Sequence, residues 1–344
     1  MSNAKDKSVL RQLGLKNILF PVFVIIAIFL GLLLGRDVKT GSDVLSIYGI
    51  PIGLFFMIYP AMVKVRINEL GRSFKNFKSV GLMIGLNYLI APFLVAGLAY
   101  AFFYLFYDMK LISLSMAQQA IVGIILLGVA PCIAMVMVWT DMSKGNMSMA
   151  VSFVAWNSII QIITTPFFIY LLARTKVSID PYLILESIFL YLALPFFAGI
   201  LTRYLLQKKS YFFKITNVLG NVQTIALLFT ILVMFWSEGY GIIEYPSLIW
   251  MVAIVMLAFY FLLFNVGYLT SRKLKFNYED STAIGYTVAA RDFEISIAIA
   301  ITAFSAYPFV PIVTAIGPLL EIPLMLLLVM FQLKRKRKIE TGVN

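Results

Sequence analysis

The chain has 344 residues, 61% of them hydrophobic and 13% charged, with no histidine, one cysteine and a formal net charge of +12. Soluble domains carry about 25% charged residues, so this composition excludes a soluble protein and points to a polytopic membrane protein, in which excess positive charge reports topology rather than nucleic-acid binding. Lack of histidine excludes a Ser/His/Asp triad, a HExxH protease site and histidine-held zinc, and one cysteine allows no internal disulfide.

Ten apolar segments follow one another, at roughly 17–35, 44–63, 80–106, 116–140, 147–173, 182–206, 215–236, 245–270, 281–304 and 308–333. About 20 residues at a rise of 1.5 Å cross a bilayer. Pro60, Pro92, Pro166, Pro195 and Pro323 fall inside spans, where neighbouring helices satisfy the carbonyls they free. The first segment is full length and lacks a small-residue cleavage site, so no cleaved signal peptide is expected. With no linker, residues 1–344 read as one transmembrane domain ending in a basic tail, 334–344.

Basic residues set the expected orientation. Lys5, Lys7, Arg11 and Lys16, the run from Lys64 to Lys78, Lys144, Arg203 to Lys214, Arg272 to Lys275 and Lys334 to Lys338 fall on one side, 22 of the 28 Lys and Arg. The other side has five: Arg36, Lys39, Lys110, Arg174 and Lys176. The positive-inside rule then makes both termini cytoplasmic.

The fourth segment contains Gly128-Val129-Ala130-Pro131-Cys132-Ile133-Ala134-Met135-Val136-Met137-Val138-Trp139. Proline lacks an N–H and clashes with the preceding turn, so two half-helices are expected: Ala130 ends the first, Pro131 starts the second and Cys132 lies in its first turn. A helix N-terminus at mid-depth offers free N–H groups and a positive dipole end, which suit an electron-rich ligand. The plain alternative is a cysteine packed as a small hydrophobe.

Asn157, Ser158 and Gln161 lie in the fifth segment. Asn157 and Gln161, four apart, share a helix face and are candidates to line a cavity, or else to hydrogen-bond between helices. The ninth segment carries Ala289-Ala290-Arg291-Asp292-Phe293-Glu294-Ile295-Ser296. Each of Arg and Asp costs about 2.5–3.5 kcal/mol at a helix centre, so such residues face protein or water and are usually functional. If the helix breaks here, Arg291 caps the first half and Asp292 the second, each opposing the local dipole and pairing with the other; direct substrate contact is the alternative. Glu294 is not needed as a cap and stands near the thiol, so it is the candidate proton carrier. Glu321, between Pro318 and Pro323, either neutralises Arg291 or holds a freed N–H. Trp139, Trp236 and Trp250 are expected as interfacial anchors.

Both interruptions fall in the fourth span of a five-span half, 17–173 and 182–333. An odd span number inverts the second half relative to the first. The expected fold is therefore all-α: ten transmembrane helices as two inverted five-helix repeats, with broken fourth and ninth helices meeting at the midplane, the pattern of secondary transporters. The GxxxxGK[ST] loop of an ATP motor is lacking, as is the GxGD sequence of an intramembrane aspartyl protease.

The Ala130–Trp139 stretch resembles the cysteine motif of the arsenite efflux permeases, in the superfamily of bile acid/sodium symporters. The resemblance extends to Tyr59-Pro60-Ala61-Met62-Val63-Lys64-Val65-Arg66, Glu69-Leu70, Asn157-Ser158-Ile159-Ile160-Gln161, Phe293-Glu294-Ile295-Ser296-Ile297-Ala298 and Ile316-Gly317-Pro318-Leu319-Leu320-Glu321-Ile322-Pro323. It implies crossed fourth and ninth helices and export of As(III), possible antimonite included, across the plasma membrane in exchange for protons, with no cofactor and no enzymatic activity. Cys132 then falls on the family's essential cysteine, the As(III) ligand, and Glu294 on its glutamate. Pro131, Asn157, Gln161 and Arg291 complete the expected substrate site, and Asp292 joins Glu294 in proton coupling. Arg291-Asp292 departs from the two asparagines usual in that family. The rival on the same fold is a sodium-coupled organic-anion symporter with Arg291 pairing the anion.

Overall fold

The computed structural model describes residues 15–36, 45–64, 77–133, 135–174, 177 and 180–341. Lys5, Lys7, Arg11, Lys39, Arg66, Arg72, Lys75, Lys176, Val65, Glu69-Leu70 and Ala134 lie outside the described residues. Helices account for the ten apolar segments: α1 (Leu15–Gly35), α2 (Ile50–Lys64), α3 (Phe77–Gly85), α4 (Ala91–Asp108), α5 (Leu114–Val129), α6 (Met135–Met142), α7 (Met147–Ala173), α8 (Pro181–Ile188), α9 (Leu194–Leu206), α10 (Phe212–Glu244), α11 (Pro246–Lys273), α12 (Tyr278–Ala289), α13 (Phe293–Ala303) and α14 (Phe309–Thr341). Among the described residues seven helical runs are long and apolar enough to cross a membrane, and no strand forms. The protein is an all-helical, multi-pass membrane protein.

Three π-helical turns, Leu45–Gly49, Leu86–Ile90 and Phe189–Ala193, run directly into α2, α4 and α9. Each is followed two residues on by a proline: Pro51, Pro92 and Pro195. A proline ring displaces the carbonyl four residues back and offers it no N–H. The wider turn absorbs that clash without breaking the rod. In the middle run this places Asn87 and Tyr88 in the widened turn, both buried.

α1 and α2 pack against α10, and α9 against α2; α4, α7 and α14 surround α5, and α11 packs on α12. Small residues set the close approaches. A Cβ on Gly35 would come within 2.4 Å of the Trp236 carbonyl oxygen, and one on Gly239 within 3.2 Å of the Gly35 Cα. Backbone cannot yield as a side chain can, so these contacts require glycine. Large apolar side chains such as Phe29, Ile163, Phe197 and Phe213 point outward, as hydrocarbon solvent demands. Residues of α12 and α13, by contrast, are almost all buried.

Several of the basic residues assigned to one side of the membrane bind groups on neighbouring helices. Lys78 Nζ donates to the Leu274 carbonyl at 3.0 Å, and Arg203 Nη1 to the Val63 and Lys64 carbonyls at 2.9 and 3.1 Å. Lys336 pairs with Glu279 at 3.4 Å, and Arg335 lies over the Tyr268 ring. Trp250 is exposed near the start of α11 and meets Phe106 edge-on. Trp139 is a correction: it is fully buried, because α6 lies inside the bundle, packed on α7 and α12.

Candidate functional site

α5 ends at Val129 and α6 starts at Met135, while α12 ends at Ala289 and α13 starts at Phe293. The two interruptions meet. Cys132 N–H donates to the Ala290 carbonyl at 3.1 Å and Asp292 N–H to the Ala130 carbonyl at 2.9 Å, an antiparallel bridge with Pro131 opposite Arg291. Proline suits this position because the bridge does not use its nitrogen. Residues 130, 131 and 132 thus stand opposite 290, 291 and 292 in a reciprocal pairing. The expectation that Pro131 starts the second half-helix with Cys132 in its first turn is corrected. Both lie outside the helix, in the break, where the bridge takes the Cys132 N–H and the Ala130 carbonyl.

Each unwound segment caps the helix that follows. Cys132 Sγ accepts the Met135 N–H at 3.2 Å, and Asp292 Oδ1 accepts the Ile295 N–H at 3.1 Å. The thiol and the carboxylate therefore occupy equivalent places, each meeting the amide three residues on. Carbonyls left at the ends of the first halves also find donors. Leu126 O accepts the Ser296 hydroxyl at 2.9 Å, Thr287 O accepts Asn87 Nδ2 at 3.3 Å, and Val288 O accepts Arg291 Nη2. Because asparagine caps as well as aspartate, Asp292→Asn is expected to leave the thermal midpoint in detergent nearly unchanged, whereas Asp292→Ala lowers stability by about 1 kcal/mol.

Arg291 is fully buried. Among the described residues no carboxylate lies within 4.0 Å of its guanidinium, so the expected pairing with Asp292 does not form; Glu321 makes no direct ion pair with it but lies near the Arg291 main-chain N–H and within reach of its charge. Nη2 contacts Asn87 Oδ1 at 3.4 Å besides Val288 O. Capping the last turn of α12 points the guanidinium toward Asn87, away from the cap that Asp292 makes on α13. Glu321 instead accepts the Tyr260 hydroxyl. Asn87 Nδ2 donates to Asn157 Oδ1 at 3.4 Å, and Tyr88 donates to the same oxygen at 3.2 Å. Asn157 and Gln161 are both fully buried on α7, as their shared face predicts.

Several buried polar atoms here have no protein partner among the described residues: Arg291 Nε and Nη1, Asn157 Nδ2, both polar atoms of Gln161, Asp292 Oδ2, Glu294 Oε1 and Glu321 Oε1. Buried polar groups are ordinarily paired, and leaving one unpaired costs about 1–3 kcal/mol. Cys132, Asp292, Glu294 and Glu321 lie close enough to feel one another's charge. One thiol, three carboxyl groups and one guanidinium thus converge where both helices are unwound, joined through Asn87 to Asn157, a setting able to hold a soft centre, exchange protons and bind oxygen atoms. Asn87, Tyr88, Tyr260 and Ser296 complete the arrangement and were not singled out as site residues from sequence. Asn87 carried a signal, an amide within an apolar segment; Tyr260, one of 18 tyrosines, carried none.

Residues 51–245 match the profile of the Sodium Bile acid symporter family. An uncharacterized transporter of Synechocystis is 33% identical over 323 residues, covering 89% of this chain and 84% of the relative. The arsenical-resistance protein Acr3 of Alkaliphilus metalliredigens is 31% identical over 320 residues, 90% of this chain and 89% of the relative. The Acr3 of Corynebacterium glutamicum is 29% identical over 330 residues, 90% and 86% of the two chains. A multi-pass helical architecture, two helix interruptions meeting at a buried polar centre, and similarity along nearly the whole length lead to one conclusion: the chain belongs to the Sodium Bile acid symporter family of transporters, with Acr3 arsenical-resistance proteins among its relatives.

Proposed function

We propose that the protein exports arsenite from the cytoplasm across the plasma membrane in exchange for protons. In this reading ten helices cross the bilayer as two inverted repeats, 17–173 and 182–333, in one domain with both termini and the basic tail 334–344 on the cytoplasmic side. The reciprocal pairing of 130–132 with 290–292 supports the inverted arrangement. Relatives named for arsenical resistance support the cargo.

The observation that carries the proposal is the place of Cys132, a lone buried thiol in unwound backbone at the crossing. Thiolate ligands select soft centres such as As(III). A single sulfur binds and releases, where a two- or three-cysteine cage would retain. Pro131 keeps the segment unwound, and Asn157, Gln161 and Arg291 line the cargo's side. Glu294, in the first turn of α13 with a free oxygen, takes a proton from outside and releases it inside, with Asp292 beside it. Trihydroxyarsenic is mostly neutral at neutral pH, so membrane potential alone does not expel it. One inward proton supplies about 2.3 kcal/mol per 100 mV, about a fifty-fold concentration ratio at about 1.36 kcal/mol per decade.

The test is arsenite uptake into everted vesicles. An acid-inside gradient should drive accumulation, thiol reagents should stop it, and sodium should leave it unchanged. Sodium-dependent movement of an organic anion, with no arsenite uptake, would replace this reading by the symporter alternative.

A further inference from the structure

Arg291 is the unexplained charge of the site. Its Nη2 caps α12 through the Val288 carbonyl and touches Asn87, but Nε and Nη1 have no partner, and no carboxylate reaches the guanidinium among the described residues. Buried donors left unpaired cost about 1–3 kcal/mol each, a cost relieved when a ligand brings oxygen acceptors to them. Nearby donors are in the same condition. Asn87 joins Arg291 to Asn157, whose Nδ2 is unpartnered, and Gln161, one turn further along α7, has both polar atoms unpartnered. The backbone bridge sets Pro131 opposite Arg291, so Arg291 and the cysteine that follows Pro131 belong to one centre.

We propose that the site is two-sided: Cys132 takes the arsenic atom, and Arg291, with Asn157 and Gln161, takes the hydroxyl oxygens of the cargo and favours an oxygen-rich ligand over one with fewer oxygens. This rests on the arsenite reading. It adds that recognition is by charge and hydrogen bonding as well as by sulfur, and that Arg291 is the residue that sets oxygen specificity. Hydrogen bonds to a charged donor are the strong ones, and guanidinium presents several N–H groups in a rigid plane where lysine presents a compact point charge.

The experiment measures protection of Cys132 from alkylation by a maleimide in the purified full chain. Arsenite is one protecting ligand. Phenylarsine oxide, also thiophilic but with an apolar ring in place of one of the three oxygens, is the other. In Arg291→Gln the arsenite concentration giving half protection should rise about ten-fold or more, and in Arg291→Lys by less, while the concentration of phenylarsine oxide rises by a smaller factor than that of arsenite in both. Equal arsenite protection in the unsubstituted protein and Arg291→Gln would overturn the oxygen-binding role and leave the arsenite reading intact. Loss of protection by both ligands in Arg291→Gln and Arg291→Lys would assign Arg291 to capping α12 only and overturn it as well. Failure of arsenite to protect the unsubstituted protein, with phenylarsine oxide effective, would overturn the arsenite reading and this proposal together.

Discussion

Cys132→Ser is expected to reduce arsenite accumulation in everted vesicles by at least about ten-fold, the equivalent of about 1.4 kcal/mol of cargo binding, while the protein still folds. Serine keeps the size of the side chain and an acceptor for the Met135 N–H, which Cys132 Sγ meets at 3.2 Å; serine is itself a favoured cap. The bridge between Cys132 N–H and the Ala290 carbonyl is backbone and survives the change. What disappears is the sulfur, and a hydroxyl has no comparable affinity for a soft centre. Thermal midpoint and transport rate should therefore separate, the first near its original value and the second lost. Full transport by Cys132→Ser would remove the thiol from the mechanism.

Glu294→Gln is expected to abolish accumulation against a gradient while preserving exchange of arsenite for arsenite across the same vesicle. Glutamine matches glutamate in shape but carries no exchangeable proton at neutral pH. The cap on α13 is made by Asp292 rather than Glu294, so the helix start remains. The thiol is untouched, and cargo still binds and crosses. Without the carrier, the ratio supplied by one proton, about fifty-fold per 100 mV, is lost, and arsenite only equilibrates. Two assays, net uptake under an acid-inside gradient and counterflow without one, distinguish loss of coupling from loss of transport. Undiminished gradient-driven uptake would sink the proton role of Glu294.

How far the residues themselves announced this arrangement depends on the kind of signal each carried. Apolar runs of about 20 residues have few alternatives in lipid, so most helical segments were legible to within a few residues, the fourth and ninth interruptions included, while α10 and α14 run eight residues past the apolar stretch, to Glu244 and Thr341, because polar residues continue a helix once it leaves lipid. Pro131 and the charges at 291–294 have no comfortable place in an unbroken helix, which is why those breaks announced themselves. The state of Cys132 did not. A proline favours a new helix start, and only the partner segment, some 160 positions away in sequence, holds the cysteine in the break by taking its N–H. Nor did sequence reveal that Arg291 lacks an acidic partner, since adjacent opposite charges suggest a pair until the caps pull them to different helices. Trp139 read as an interfacial ring by its nearness to a span end, but α6 is enclosed by its neighbours.

The join between the two unwound segments has a consequence for descent. Both of its hydrogen bonds come from main-chain atoms, so no single exchange of side chain at positions 130 to 132 or 290 to 292 erases them, proline at 132 or 292 excepted because it lacks the donor N–H. Chemistry at this centre is thereby free to drift while the architecture stays put: a thiol, a guanidinium or an amide can be installed opposite any other without rebuilding the scaffold. An ancestral carrier of this form could adopt unrelated cargoes by a handful of replacements, each tried against a frame that tolerates it.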